Sequence, residues 1–144
     1  MPSQPATWLM KTEPSTFSFE QLVQDGKTFW DGVRNHQAQK FMKQMAVGDR
    51  VLIYHSVTGK AVVGLAEVTQ TASPDPTAAA GENWIGVTVK PVRTLKTPVT
   101  LAEIKQHPAL QEIGLVRQGR LSVMPLLPKE FEILMEMAGE TIHH

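Results

Sequence analysis

Arg50–His55 (RVLIYH), the Thr58–Gly59–Lys60 turn and Ala61–Thr71 (AVVGLAEVTQT) decide the fold. The first run is dense in residues that favour extended backbone, the pattern of a central strand. The tight turn sends the chain straight into the next strand, and Gly64 inside that strand suggests a bulge or a close approach of another group. Downstream, Trp84–Leu95 alternates, with Ile85, Val87 and Val89 against Thr88 and Lys90; Pro91 marks a bend or an edge. Strands that follow one another through short connections favour an antiparallel, curled sheet or barrel over a doubly wound one.

The flanks supply helices. Ser18–Gln21 (SFEQ) reads as a capping box, opening a helix to about Asp25 with Gly26 as its stop. Asn35 caps a second helix with Ala38, Phe41, Met42 and Met45 on one face. Thr100–Glu103 (TLAE) is another capping box, for a helix to about Gln106. Pro128 starts a last helix carrying Phe131, Leu134, Met135 and Ala138, with Gly139 as its stop. Thr7–Lys11 is a first strand ended at Glu13–Pro14, Gly119–Val123 a late short one, and Thr71–Glu82 a surface loop. The expectation is one mixed α/β (α+β) domain over residues 1–144, with five or six strands and short peripheral helices.

Composition removes several function classes. No cysteine is present, which excludes disulfides, thiol catalysis and zinc fingers. Fourteen Lys and Arg balance fourteen Asp and Glu, against a protein that holds nucleic acid by charge alone. No run of apolar residues reaches membrane-spanning length, and the short polar start is no signal peptide, so we expect a cytoplasmic protein without a membrane partner. The histidines show no metal-ligand spacing, and neither a phosphate loop nor a dinucleotide fingerprint is present. No metal or cofactor is expected. The terminal His143–His144 pair is assigned no function.

Four clusters mix aromatic, charged and hydroxyl or amide side chains in a way core strands do not, because buried charges cost several kcal/mol unless paired. Trp30–Asn35 (WDGVRN) presents an indole, turns at Asp-Gly, and offers Arg34 and Asn35 at a helix start, where anions are attracted. The same residues also read as a core tryptophan, a turn and a cap. Lys11–Pro14 (KTEP) leaves a strand end: Lys11 can reach a phosphate and Glu13 can accept from an exocyclic amine, or the two form a surface ion pair. Tyr54–Ser56 (YHS) ends the central strand. Adjacent residues point to opposite faces, so His55 is badly placed as a base for Ser56, and no nucleophile elbow surrounds it. Arg117–Val123 (RQGRLSV) reads either as an exposed arginine turn or as a strand with Arg120 and Ser122 on one side, a polar wall over an apolar core.

Together these clusters resemble the EVE domain, the family of thymocyte nuclear protein-like proteins. The resemblance covers about Trp8 to Met137. It rests on WLMKTEP, on WDGVRN with the following NHQAQKFM, on GDRVLIYHS, on VVGLAEV and on RLSVMP, five motifs in order. It implies a PUA-like fold, a curled mixed β-barrel with short helices, related to the YTH readers of methylated adenine in RNA. It implies nucleic-acid binding without catalysis, with a modified DNA base such as 5-methylcytosine or its oxidised form held in an aromatic-walled pocket. Trp30 would lie at that pocket, lined or flanked by Lys11, Thr12, Glu13, Val33, Asn35, Tyr54, His55, Ser56 and Ser122. Arg34, Lys40, Lys43, Arg117 and Arg120 are the candidates for phosphates. Thr12 stands where many members carry serine, and the chain lacks the basic N-terminal extension of nuclear members. Modified RNA, or a small planar ligand, is the alternative occupant. A small hydrolase built on Glu13, His55 or Ser56 is a further reading, for which the sequence supplies no activated nucleophile.

Overall fold

In the computed structural model, which describes residues 5–140, His143 and His144 lie outside the described residues. Strand β1 (Thr7–Thr12) is followed by helix α1 (Phe19–Asp25), the two-residue strand β2 (Thr28–Phe29), helix α2 (His36–Gln44) and strands β3 (Arg50–His55), β4 (Ala61–Pro74) and β5 (Ile85–Thr100). Helix α3 (Leu101–Gln106), a 3-10 turn at Pro108–Leu110, helix α4 (Gly114–Arg117), strand β6 (Val123–Leu126) and helix α5 (Pro128–Met137) complete the chain.

The helix starts follow from their caps. Ser18 accepts from the Gln21 N–H, and Gly26 closes α1 at φ +80°, a left-handed conformation that costs glycine little. The expected Ser18 capping box is only half formed, because the Gln21 side chain donates to Asp25 instead of reaching back. Asn35 caps α2 by accepting from the Ala38 N–H. At Thr100 the box is complete, with Glu103 reaching back to the Thr100 N–H.

One sheet holds the strands in the order β2-β5-β4-β3-β1-β6. The central run Val51–His55 is buried throughout, between β4 on one side and β1 on the other. Strands β3, β4 and β5 form the expected antiparallel meander, but β1 pairs β3 in parallel, from Thr7 opposite Arg50 to Thr12 opposite His55. The sheet does not close into the expected barrel. Its edges are β2, two residues, and β6, four, and these do not meet. Register shifts along β3–β4 and β4–β5 bend the pairs instead, as bulges do.

Gly64 serves both purposes read from the sequence. The register shifts beside it, and a Cβ there would run into the Phe19 ring, so the missing side chain lets α1 seat on the sheet. The apolar interior is continuous from Leu9, Met10, Leu52 and Ile53 on the strands to Leu22, Met42, Ile104 and Leu134 on the helices, all at most 1% exposed.

Two boundaries differ from the sequence reading. Strand β4 runs on to Pro74, four residues into the Thr71–Glu82 stretch expected as loop. The late strand begins at Val123, where pairing with Met10 starts, so Gly119–Ser122 is a turn and Arg120 and Ser122 do not share a strand face.

Candidate functional site

The parallel pairing of β1 and β3 brings two of the four clusters to the same end of the sheet. Thr12 faces His55, and the Ser56 N–H donates to the Thr12 carbonyl at 2.9 Å. The Thr12 hydroxyl donates to the Phe17 carbonyl at 2.7 Å, which folds the Glu13–Phe17 segment over the strand end. Lys11 joins the third cluster: its N–H donates to the Ser122 carbonyl at 2.8 Å and its Nζ to the Gly119 carbonyl at 2.7 Å. The ammonium also lies 6.0 Å from the centre of the Tyr54 ring, and burial lowers its pKa. Lys11, Thr12, Glu13, Tyr54, His55, Ser56 and Ser122 thus gather around one rim. Val57, directly after Ser56, has φ +69°, a strained value for a β-branched residue, and such strain tends to collect at functional sites.

His55 is a structural acceptor here. Its Nε2 takes the N–H of Phe19, the first residue of α1, at 3.0 Å, which requires the neutral ring with its proton on Nδ1. Burial lowers the His55 pKa, and the Glu20 carboxylate partly opposes that. The unfolded chain then binds the proton more readily than the folded one, so stability rises with pH across this titration. Urea midpoints are expected to fall as pH drops below about 6.5, the ordinary histidine value. In His55→Gln, whose amide oxygen can still accept, the curve should be flatter between pH 7.5 and 5.5. Identical slopes for the two proteins would detach the bond to Phe19 from this titration.

Trp30 connects to the rim through one ring. Phe17 meets its indole edge-on, centroids 6.0 Å apart and planes at 88°. The Phe17 N–H in turn donates to the Glu13 carbonyl at 2.9 Å. Trp30 itself is only 8% exposed, and its backbone N–H donates to the Val87 carbonyl at 2.7 Å. The core reading of this tryptophan is therefore correct, while its place beside Phe17 and Glu13 keeps it next to the rim.

The rest of WDGVRN turns elsewhere. Val33 is buried, and the Asn35 amide oxygen is occupied by the cap of α2. Asp75, a fully buried carboxylate, accepts from the Gly32 N–H at 2.8 Å, from the Thr77 N–H and hydroxyl at 2.7 Å each, and from Arg34 at 3.1 Å. Burial would raise its pKa; the Thr77, Gly32 and Arg34 bonds outweigh that and hold it well below the usual carboxylate range. Gln39, also buried, donates to the Val33 and Ile85 carbonyls and accepts from the Ile85 N–H, each at 2.9 Å. The sequence reading singled out neither Asp75 nor Gln39. A proline-flanked Asp in an Ala-rich stretch looks like loop, and a lone Gln on a helix looks like surface.

Arg34 also lies 5.3 Å from the centre of the Trp84 ring, and His36 stacks on the same indole at 5.1 Å with planes 29° apart. In the sequence, Trp84 stands out only as the start of a strand. A cavity of about 860 Å³ opens here, lined by His36, Gln37, Gln39, Lys40, Lys43, Glu82, Asn83 and Trp84. Of the residues expected at the site, Lys40 and Lys43 line it; Trp30, Glu13 and His55 do not. Arg117 pairs with Glu112 at 3.2 Å, both exposed, and Arg120 stands exposed in its turn. The four clusters thus form two neighbouring groups joined by the loop from Trp30 to Asn35.

A family model described as EVE domain matches residues 6–137. The chain is 33% identical over 163 residues to thymocyte nuclear protein 1 of Homo sapiens, covering 90% of this chain and 72% of that protein. The crystal structure of human THYN1 protein in complex with 5-methylcytosine-containing DNA is 30% identical, with a TM-score of 0.86 over 95% of this chain and 99% of that one. An NMR structure of a Rhodopseudomonas palustris protein is 45% identical, with a TM-score of 0.89 over 96% of this chain and 97% of that one. The shared architecture is PUA-like. A Zygosaccharomyces rouxii YTH domain in complex with N6-methyladenosine RNA shares the fold alone, at 13% identity and a TM-score of 0.60 over 99% of this chain and 92% of that one.

Proposed function

The chain belongs to the EVE domain family, and on that premise we propose that it is a nucleic-acid-binding domain that reads one modified base, such as 5-methylcytosine or an oxidised form of it in DNA. The observation that carries this reading is the likeness, over 95% of the chain, to the human protein whose structure holds 5-methylcytosine-containing DNA.

The physics favours recognition of an extruded base. Inside a duplex the edge of a base is hidden, so a reader must flip it out at a cost of a few kcal/mol. Contact with aromatic faces returns about 1–3 kcal/mol. The rim at the ends of β1 and β3 offers Phe17 and Trp30 as walls, with Thr12, Glu13, Ser56 and Ser122 as polar edges. Glu13 is exposed and, among the described residues, its carboxylate takes only the Ser15 hydroxyl, so it has room to accept from the exocyclic amine of cytosine. Burying a methyl group adds about 0.8 kcal/mol, a factor of about four, so stronger selectivity needs a tight fit around the mark. His55 has its Nε2 taken by Phe19, which leaves Ser56 without an activating base and supports recognition over turnover. With charges balanced, affinity for unmodified duplex should be low and its salt dependence shallow.

The test is binding of the full chain to duplexes that differ at one cytosine: unmodified, 5-methylated or 5-hydroxymethylated. A preference of several-fold or more for one modified duplex is expected. Glu13→Ala, an exposed change, should lower affinity for the preferred duplex by about five-fold or more, the worth of a good base-edge contact. Equal binding of all three duplexes by the unaltered chain would defeat the reading. Tighter binding of a modified RNA of the same sequence would move it to RNA.

A further inference from the structure

We infer that the cavity between α2 and the Glu82–Trp84 segment is a second nucleic-acid subsite, in which a base near the one being read stacks on Trp84 while Lys40 and Lys43 hold the adjoining phosphates. This rests on the reading above and adds a separate contact to it.

Three features of the cavity point to such a ligand. First, the Trp84 indole borders a space of about 860 Å³, ample for a planar ring. His36, the ring that now covers it, is exposed on α2 and can swing away. Second, Lys40 and Lys43 are three residues apart on one helix, so they share a face with Cβ atoms about 5–6 Å apart. Neither has a carboxylate partner among the described residues, and Glu82 is the one acidic side chain in the lining. Third, the Trp84 Nε1–H is the single buried side-chain polar atom without a hydrogen-bond partner among the described residues. Such a group costs free energy until something accepts from it. The atom is closed off from solvent, so a base or sugar oxygen satisfies it only when the indole or its cover moves as the ligand enters.

The distance to the rim is short. Arg34, which lies against Trp84, follows Trp30 by four residues, a span of at most roughly 14 Å. Stacked strand advances about 3.4 Å per nucleotide, so one strand reaches both places within about four nucleotides. The second subsite has no means of sensing the mark. It supplies affinity and register, while the rim supplies selectivity.

The test compares the unaltered chain with Lys40→Gln/Lys43→Gln and with Trp84→Ala, each titrated with the 5-methylated duplex and its unmodified counterpart across salt. The double variant should weaken both duplexes by the same factor, ten-fold or more at low salt, and reduce the slope of log K against log salt by about two. Trp84→Ala should weaken both by about ten-fold, the value of one stacked base, and Trp84→Phe should recover part of it. Circular dichroism checks that each variant is folded; the lysine pair is exposed, so its result stands even where Trp84→Ala disturbs the loop. Unchanged affinity and slope in the lysine variant overturn the inference. So does a collapse of the methylated-to-unmodified ratio, which would make this cavity the reading pocket itself. Failure of the unaltered chain to bind either duplex instead overturns the reading on which the inference rests.

Discussion

Asp75→Ala is expected to lower stability by about 2–4 kcal/mol, read as a drop in the urea midpoint. Its carboxylate is fully buried and accepts four hydrogen bonds from three residues. Deleting it leaves the Gly32 and Thr77 N–H groups without acceptors in a partly buried place, and each such loss costs about 1–3 kcal/mol. Arg34 loses its partner as well, but its side chain is 35% exposed, so water takes over most of that charge. Asp75→Asn keeps one acceptor oxygen and should fall between the two. The pH dependence has a definite sign. The folded pKa is held below the unfolded value of about 3.9, so the stabilisation from Asp75 is fully present above that value and is lost as pH falls from there through the lower folded pKa. Acid unfolding below about pH 4 should therefore be less steep in Asp75→Asn than in the unaltered chain. A midpoint shift under 0.5 kcal/mol in Asp75→Ala would mean that the loop from Trp30 to Asn35 does not depend on this anchor.

That anchor also shows where the sequence ceases to be readable. Local chemistry was legible: Ser18, Asn35 and Thr100 cap helices because their side chains meet N–H groups three residues away. Gly64 and the buried run at Val51–His55 were legible for the same reason, since strand burial and close approach leave a composition signal. The parallel pairing of β1 with β3 was not, because nothing in either strand names its partner across more than thirty residues of chain. The turn at Gly119–Ser122 alternates polar and apolar residues like a strand, yet its carbonyls are used to hold Lys11. The EVE motifs picked out the residues of the rim, but Trp84 and Asp75 lie outside them, in the Ala-rich stretch and just beyond it. Their roles come from partners 41 to 50 positions away, Gly32, Arg34 and His36. One site read from sequence is therefore two groups in space, because the loop between Trp30 and Asn35 faces both ways.

Trp30→Ala is expected to cost about 3–5 kcal/mol, the usual price of truncating a packed aromatic. The indole is 8% exposed, stands edge-on to Phe17, and its backbone runs so close to Gly86 that a Cβ there would overlap the Trp30 carbonyl. Against a total stability of about 5–15 kcal/mol, that loss makes the substitution a test of folding more than of binding. An unchanged urea midpoint would contradict the packing of the indole. Trp30→Phe separates the two roles. It keeps an aromatic ring against Phe17 and should cost about 1–2 kcal/mol, within the range of a core substitution that shrinks a side chain. If a base enters beside Phe17 and is held by the six-membered part of the indole, the smaller ring leaves a gap there. The preference for the modified duplex should then fall several-fold while the protein stays folded. Selectivity equal to that of the unaltered chain, with Glu13→Ala still reducing it, would leave Glu13 in the reading pocket and return Trp30 to the core alone.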